Sequence, residues 1–162
     1  MEIQSIDWSA RIAFYPCCGK DIVKPLRLLR NRADVLICCD IRPIVVDSGD
    51  REQQLIFVRE DARSIIEKIQ RIDILFYRND SMGEGGSGIP VLGDAFLPKI
   101  VEKMHPERAW IITDGSNSRG KHFERMQRTN GLKRHGKWFR LAEEQPFEHL
   151  RLKLFSVTPF PD

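Results

Sequence analysis

The sequence predicts an α/β domain whose core is a mostly parallel, doubly wound sheet of seven strands, the last two forming a C-terminal antiparallel hairpin. Short apolar runs alternate with amphipathic stretches of helical period through most of the chain, as in successive β-α units. The second run, ADVLICCD, is continuously apolar, which is typical of strands covered on both faces. The last two runs, LKRHGKWFRLAE and HLRLKLFSVTP, alternate apolar and polar residues, and this favours an antiparallel pair.

The first half of the chain supplies three strands and two helices. RIAFYP fits a strand near residues 11–16, ADVLICCD a second that ends at Asp40, and QQLIFVRED a third that ends at Glu60-Asp61. VKPLRLLRN follows the first strand as a helix, and its Pro25 is tolerated in the first turn. Asp61 can cap the next helix, ARSIIEKIQ. The segment IRPIVVDSGDRE between the second and third strands is loop-like.

The second half begins with a fourth strand, IDILFYR, and a long loop, NDSMGEGGSGIPVLG, which holds five glycines. The helix DAFLPKIVEKM follows, with Asp94 as its N-cap, and leads to a fifth strand, RAWIITDG. A weaker helical pattern, GKHFERMQRTNG, ends at Gly131, and EQPFE joins the two strands of the hairpin. No internal repeat or linker interrupts this series, so the 162 residues are expected to form one domain.

Composition and charge exclude several classes of protein. Apolar residues make up 41% of the chain and charged residues 30%, which is typical of globular domains. The chain has no apolar run long enough to predict a transmembrane helix. The N-terminal stretch MEIQSIDWSARIAF lacks the basic, apolar and cleavage-site features of a signal peptide, so a cytoplasmic protein is expected.

The four cysteines form two adjacent pairs, Cys17-Cys18 and Cys38-Cys39. Because neighbouring residues on a strand point to opposite faces, the four thiols do not converge easily on one metal ion. Their spacing also differs from that of zinc sites. The pattern favours small thiols packed at buried strand ends, with a redox or metal role as the alternative.

In sheets of this class, ligands bind outside the carboxyl ends of the strands. The residues that the five strands deliver there are Tyr15 to Gly19, Asp40 to Arg42, Glu60 to Ala62, Tyr77 to Asp80 and Thr113 to Ser116.

Two acids on consecutive strand ends point to a nucleoside. Asp40 can accept both hydroxyls of a ribose, and Asp61, followed by Ala62, can meet an adenine amino group. Gly19 permits close approach of the first turn to the middle of such a ligand. Each acid alone also fits a helix cap or a loop end, but the pair favours a binding site.

These segments resemble the class I S-adenosylmethionine-dependent methyltransferases over most of the chain, roughly from Arg11 to Pro159. IAFYPCCGKD takes the place of the glycine-rich first motif, and VLICCDIRP resembles the second strand with its ribose-binding acid. FVREDARSI resembles the segment that places an acid beside adenine. IDILFYRND is similar to the fourth strand, whose end faces the methyl group, and LPKIVEKMHPERAWIITDG to the helix and strand that follow. The final hairpin resembles the sixth and seventh strands, of which the seventh usually lies antiparallel between the fifth and sixth.

The resemblance implies a Rossmann-like methyltransferase fold, S-adenosylmethionine as cofactor, and methyl transfer to an unidentified acceptor. The cofactor-binding residues that it implies are Tyr15, Pro16, Cys17, Gly19, Asp40, Ile41, Asp61, Ala62 and Arg78. The first motif departs from the family pattern, because it lacks the usual acid and keeps a single glycine, with cysteines where further glycines are expected. A G-x-G-x-x-G motif is also absent, which argues against an ordinary dinucleotide-binding dehydrogenase.

Asn79 and Asp80, at the end of the fourth strand, are the candidate catalytic residues. Methyl transfer needs a nucleophile held in line with the sulfonium and a place for its proton. Asp80 can take that proton and Asn79 can orient an amine, although both also fit a polar loop opening. The glycine-rich loop that follows (residues 81–93) is a candidate lid over the site, or a simple flexible connection.

The segment from Arg119 to Arg140 holds eight lysines and arginines against one glutamate, a local net charge of +7 in a chain whose overall charge is +3. Phe123, Trp138 and Phe139 lie among these cations. Cations interleaved with aromatic rings suit phosphate contacts and base stacking, so this segment is a candidate site for nucleic acid or another acidic partner. A solvated helix and hairpin face is the simpler interpretation.

Three functions therefore stay open at this point. The first is a small methyltransferase, whose short chain implies an open site, a large substrate, a dimer partner that completes the site, or no catalysis. The second is a binding module of the same fold that holds a nucleotide-like ligand or a protein partner without turnover. The third is a nucleic-acid-binding protein that uses the basic segment.

Overall fold

The computed structural model describes residues 2–46, 53–118, 131–143 and 151–159. The strands are β1 (Ile12–Pro16), β2 (Val35–Cys39), β3 (Gln54–Val58), β4 (Ile74–Tyr77), β5 (Ala109–Thr113), β6 (Leu132–Arg134), β7 (Lys137–Glu143) and β8 (Lys153–Pro159). The α-helices in these ranges are α1 (Val23–Leu29), α2 (Ala62–Lys68) and α3 (Leu97–Lys103), and a 3₁₀ turn covers Ile3–Ser5.

The described strands form one mixed sheet in the order β3-β2-β1-β4-β5-β8-β7-β6. The first five strands pair in parallel, and β8 lies antiparallel between β5 and β7. The prediction of an α/β domain with a largely parallel sheet and an antiparallel C-terminal part is confirmed. Every residue of β1, β2 and β4 is buried, as expected for central parallel strands.

The sheet has eight strands where seven were predicted, because LKRHGKWFRLAE is a hairpin and not one strand. The chain reverses at His135 and Gly136, which both have positive φ, 51° and 75°. Two central residues with positive φ form the tight turn that suits the twist of paired strands. β6 and β7 consequently pair with each other on either side of this turn.

The helix α2 forms as the sequence predicts. The Asp61 carboxylate accepts a hydrogen bond from the backbone N–H of Arg63 at 2.8 Å and so caps the helix. The apolar face is buried and consists of Ala62, Ile65, Ile66 and Ile69. Local pattern and tertiary packing agree in this element.

The start of α3 differs from the prediction. The helix begins at Leu97, with Phe96 at its N-cap, and Asp94 forms an ion pair with the buried Arg134 of β6 instead. The predicted helix GKHFERMQRTNG, up to Asn130, and the connection EQPFE lie outside the described residues. Among the described helices, none is long and apolar enough to cross a bilayer.

The parallel strands bring their carboxyl ends to one edge of the sheet. Pro16 is in register with Cys39, and Cys39 with Val58, so β1, β2 and β3 end at the same level. Two backbone hydrogen bonds extend this alignment: Cys18 N–H donates to the Cys39 carbonyl at 3.1 Å, and Asp40 N–H donates to the Val58 carbonyl at 3.3 Å. The loops after these strands therefore share one rim.

Candidate functional site

A cavity of about 270 Å³ opens at this rim, above the ends of β1, β2 and β3. The residues that line it are Cys17, Cys39, Asp40, Ile41, Arg42, Glu60, Asp61, Ala62, Arg63, Gly85, Gly86, Ser87 and Ile89. Five of the residues predicted to bind a cofactor are among them: Cys17, Asp40, Ile41, Asp61 and Ala62. The sheet thus brings the two predicted carboxylates to one cavity.

Asp40 is only 5% exposed, and its carboxylate is held from two sides. The Gly19 N–H donates to Oδ2 at 2.9 Å, and the Arg42 N–H donates to Oδ1 at 2.9 Å. The Arg42 guanidinium adds two further bonds, at 2.8 and 2.9 Å. Burial raises the pKa of Asp40, but these hydrogen bonds outweigh burial and hold the pKa below its ordinary value. Asp40 is therefore ionised at neutral pH.

Asp61 repeats this arrangement one strand further on. Its cap bond to Arg63 N–H is joined by two bonds from the Arg63 guanidinium, at 3.0 and 2.6 Å. The side-chain hydrogen bond with Arg63 is the main reason why the pKa of Asp61 is lowered. At both positions an arginine two residues after the acid pairs with it.

These two arginine pairs can give way to a ligand. The side chains of Arg42 and Arg63 are 55% and 65% exposed, so both guanidinium groups can turn into solvent. The Asp40 side chain is only 4% exposed, so release of Arg42 leaves a buried charge that the hydrogen bonds of the ligand must satisfy. The backbone N–H bonds to Asp40 and Asp61 do not depend on the guanidinium groups, so they keep each carboxylate oriented when its arginine moves away. A ligand hydroxyl or amino group can then occupy the place of the guanidinium.

The lowered pKa values predict how stability depends on pH. A carboxyl group whose pKa is depressed by folding contributes stability above its unfolded pKa of about 4, and this contribution is lost as the pH falls through the folded value. We expect the urea midpoint to be flat between about pH 7 and 5 and to fall below about pH 4. Asp40→Asn should reduce that fall, and Asp34, whose pKa Arg11 lowers to about 2, should account for part of the remainder. An identical acid limb in Asp40→Asn and wild type would contradict this assignment.

Three other residues predicted to bind the cofactor belong to the support of the cavity and not to its lining. Arg78 donates from Nε and Nη2 to Asp21, both at 2.6 Å, and is 6% exposed. Tyr15 donates its hydroxyl to Asp21 at 2.8 Å and to the Arg78 carbonyl at 3.3 Å. Pro16 is buried in β1. These hydrogen bonds connect the turn after β1 (residues 17–21, the first turn) to Arg78 at the end of β4, and so hold the backbone next to Gly19 in place.

Cys17, directly after β1, has a backbone conformation that favours glycine. Its φ is 56°, in the left-handed region that residues other than Gly, Asn and Asp rarely adopt. Burial raises the pKa of its thiol to about 12, against a hydrogen bond with Ser87 that lowers it. The thiol is therefore protonated at neutral pH, and it occupies space at the β1 side of the cavity.

Asn79 and Asp80, the candidate catalytic residues, have different surroundings. Asn79 is exposed, has a φ of 55°, and donates its backbone N–H to Asp114 at 3.0 Å. Asp80 accepts hydrogen bonds from the Tyr77 hydroxyl and from both the backbone and the hydroxyl of Ser87. Cys17 and Asn79 follow two strands that end at this edge, and the left-handed backbone is unusual only at Cys17, because Asn adopts it more often than most residues do.

The described part of the basic segment is the β6–β7 hairpin. The Lys133 Nζ lies 4.8 Å from the centre of the Trp138 ring, and the Arg140 guanidinium carbon lies 5.2 Å from it. Because these two cations already lie against the Trp138 ring, the ring does not offer an open face on which a nucleic-acid base could stack. Residues 119–130 lie outside the described residues, and a nucleic-acid or acidic partner for the whole segment stays a prediction.

All four cysteines are free thiols, and Cys18, Cys38 and Cys39 are buried in the core. Within the described ranges, no group of three or more His, Cys, Asp or Glu side chains is arranged to hold a metal ion. The buried positions agree with the interpretation of packed thiols at strand ends.

Comparison with known proteins adds no assignment: a scan against protein-family models and a search of the curated proteins both found no match to this chain.

Sequence reasoning missed several residues of the cavity. Arg42 and Arg63 follow their acids by two residues, and that repeated acid-x-Arg spacing was a local signal that could have indicated the pairs. Ser87 and Ile89 come from the glycine-rich loop, and nothing local in the sequence shows that this loop folds back over β1.

Proposed function

We propose that this chain binds the adenosine part of S-adenosylmethionine in the cavity and transfers its methyl group to an acceptor. The observation that carries the proposal is that Asp40 and Asp61, on neighbouring strand ends, line one cavity and are both ionised at neutral pH. A carboxylate that is already oriented by backbone N–H groups is a strong acceptor for ribose hydroxyls. The proposed arrangement has ribose at Asp40 and adenine beside Asp61 and Ala62.

The strand order supports the same proposal. With β6 set aside, the last strand, β8, lies antiparallel between β5 and β7, which is the placement that the resemblance to class I methyltransferases implies for the seventh strand. The residues present fit the nucleoside part of the cofactor, because the cavity offers two anionic acceptors and the apolar side chains of Ile41, Ala62 and Ile89. The bound cofactor would supply an electrophilic methyl group on a sulfonium.

The protein would contribute orientation and a proton acceptor to this reaction. Asn79, at the exposed end of β4, can hold an acceptor amine in line, and Asp80 can take its proton once the Ser87 bonds are released. Arg78 and Asp21 would hold the turn beneath the cofactor.

Calorimetric titration with S-adenosylmethionine and S-adenosylhomocysteine tests the binding step. We expect saturable one-to-one binding of both, and the absence of heat with either ligand at millimolar concentration would contradict the proposal. Transfer of a labelled methyl group onto proteins, nucleic acids or small molecules of a cell extract tests the reaction.

A non-catalytic binding module of the same fold is the second candidate. Two observations favour it: Cys17 lines the cavity with a side chain that glycine would lack, and Asp80 is engaged by Ser87 and Tyr77. Binding of S-adenosylhomocysteine together with no methyl transfer to any fraction of the extract would decide for this candidate.

A further inference from the structure

The glycine-rich loop is fixed at its C-terminal end and exposed at its tip. Ile89, Val91 and Leu92 are buried in the core, and the Ile89 carbonyl accepts a bond from the Asn117 side chain at 2.5 Å. Residues 81–85, by contrast, are exposed. The tip of the loop (residues 81–88) is therefore held at its C-terminal end by buried residues, and part of it lines the cavity.

One set of hydrogen bonds closes the tip. Asp80 accepts the backbone N–H of Ser87 at 2.7 Å and the backbone N–H of Ser81 at 2.9 Å, and it also accepts the Ser87 hydroxyl. Ser87 and Cys17 both line the cavity, so the closed tip faces the end of β1. Breaking the Ser87–Asp80 bonds would detach Ser87 from the end of β4.

Gly86 is required for the closed form. A Cβ atom on Gly86 would lie 2.2 Å from the Ser81 carbonyl oxygen, so any other residue there forces the backbone apart. Gly83, in the same tip, has no such restriction: the nearest atom to its Cβ position is the Ser81 Oγ, at 4.0 Å. The two glycines provide a matched pair of positions for testing closure.

The closed tip limits the length of a ligand in the cavity. If Asp61 holds the adenine and Asp40 the ribose, as proposed, the sheet order β3-β2-β1-β4 puts β1 and β4 on the 5′ side of the nucleoside. Cys17, Ser87 and Ile89 stand on that side of the lining. The cavity of about 270 Å³ also lies just below the range of about 300–1,000 Å³ that is usual for small-molecule and cofactor sites.

From these contacts we infer that the loop tip selects ligands by the substituent at the 5′ position. The closed form takes a free nucleoside of the adenosine class, and the amino-acid tail of S-adenosylmethionine enters only when residues 81–88 open and the Ser87–Asp80 bonds break. This inference rests on the proposed function and adds its regulation. Opening also releases Asp80, so entry of the long ligand and availability of a proton acceptor are coupled.

The experiment compares adenosine and S-adenosylhomocysteine as calorimetric ligands of wild type, Gly86→Ala and Gly83→Ala. If the open form is about a tenth of the wild-type population, an opened variant gains up to about tenfold in affinity for the long ligand. We expect that gain for S-adenosylhomocysteine in Gly86→Ala, with a change of less than about twofold for adenosine and none for either ligand in Gly83→Ala.

Ser87→Ala is the second variant, in case Gly86→Ala folds poorly. It removes the hydroxyl bond to Asp80 and the bond that the Ser87 Oγ accepts from the Ile89 N–H, keeps the backbone bond to Asp80, and should give a smaller gain in the same direction. Amide hydrogen exchange should be faster in both variants than in wild type at Ser87 and Gly88, whose N–H groups donate to Asp80 and to the Ser81 carbonyl.

The outcomes separate the two proposals. If wild type binds both ligands and neither Gly86→Ala nor Ser87→Ala changes their affinity ratio, the length selection is wrong while the proposed function stands. If neither ligand binds wild type or the opened variants, the proposed function is wrong and the inference fails with it.

Discussion

Replacing Asp21 with alanine is expected to lower the free energy of unfolding by about 3–5 kcal/mol, the cost of leaving a buried charge without its partner. Arg78 is 6% exposed and directs two N–H groups at the Asp21 carboxylate, both at 2.6 Å. The Tyr15 hydroxyl, also buried, loses the same acceptor. The measurement is urea unfolding followed by circular dichroism at neutral pH.

Two further variants control this result. Glu67→Ala breaks the Lys99–Glu67 pair, whose side chains are about half exposed or more, and should leave the midpoint unchanged. The double variant Asp21→Ala/Arg78→Met should recover part of the loss, because no unpaired buried charge remains. Equal midpoints for Asp21→Ala and Glu67→Ala would mean that the network does not support the first turn.

Asp40→Ala has the largest expected effect on binding. If the Asp40 carboxylate holds the ribose, its loss should weaken S-adenosylhomocysteine by about 1–3 kcal/mol, or about 5- to 150-fold, because a charge-assisted pair of hydrogen bonds is removed. The variant also deprives Gly19 N–H of its acceptor, so the first turn loosens under the ligand. Calorimetric titration measures the change.

The matched control is Asp34→Ala. Asp34 directly precedes β2 and Asp40 directly follows it, and the Asp34 carboxylate pairs with Arg11 at the opposite edge of the sheet from the cavity. We expect unchanged ligand affinity in this variant. If both variants bind the ligand as wild type does, the ribose assignment of Asp40 is wrong.

Elements whose signals are local could be predicted from the sequence. The buried strand β2 is one continuous apolar run, and α2 has its cap and its apolar face within nine residues. The position of Asp40 and Asp61 at one rim follows from parallel strands alone, because consecutive strands of this kind end at the same edge.

The features that were missed depend on contacts between distant residues. Asp94 has the composition of an N-cap, but Arg134, forty residues away, engages it instead. Asp80 looks like a free acid at a strand end, and only the folded loop shows that Ser87 occupies it. The β6–β7 turn uses His135 at positive φ, which carries none of the Asn-Gly signal that marks such hairpins.

A crystal structure of the chain with S-adenosylhomocysteine tests the central claim most directly. We predict the ribose hydroxyls within hydrogen-bond distance of the Asp40 carboxylate, the adenine amino group beside Asp61, and the guanidinium groups of Arg42 and Arg63 turned away from their acids. A ligand bound elsewhere, with both acid–arginine pairs intact and the cavity empty, would contradict it.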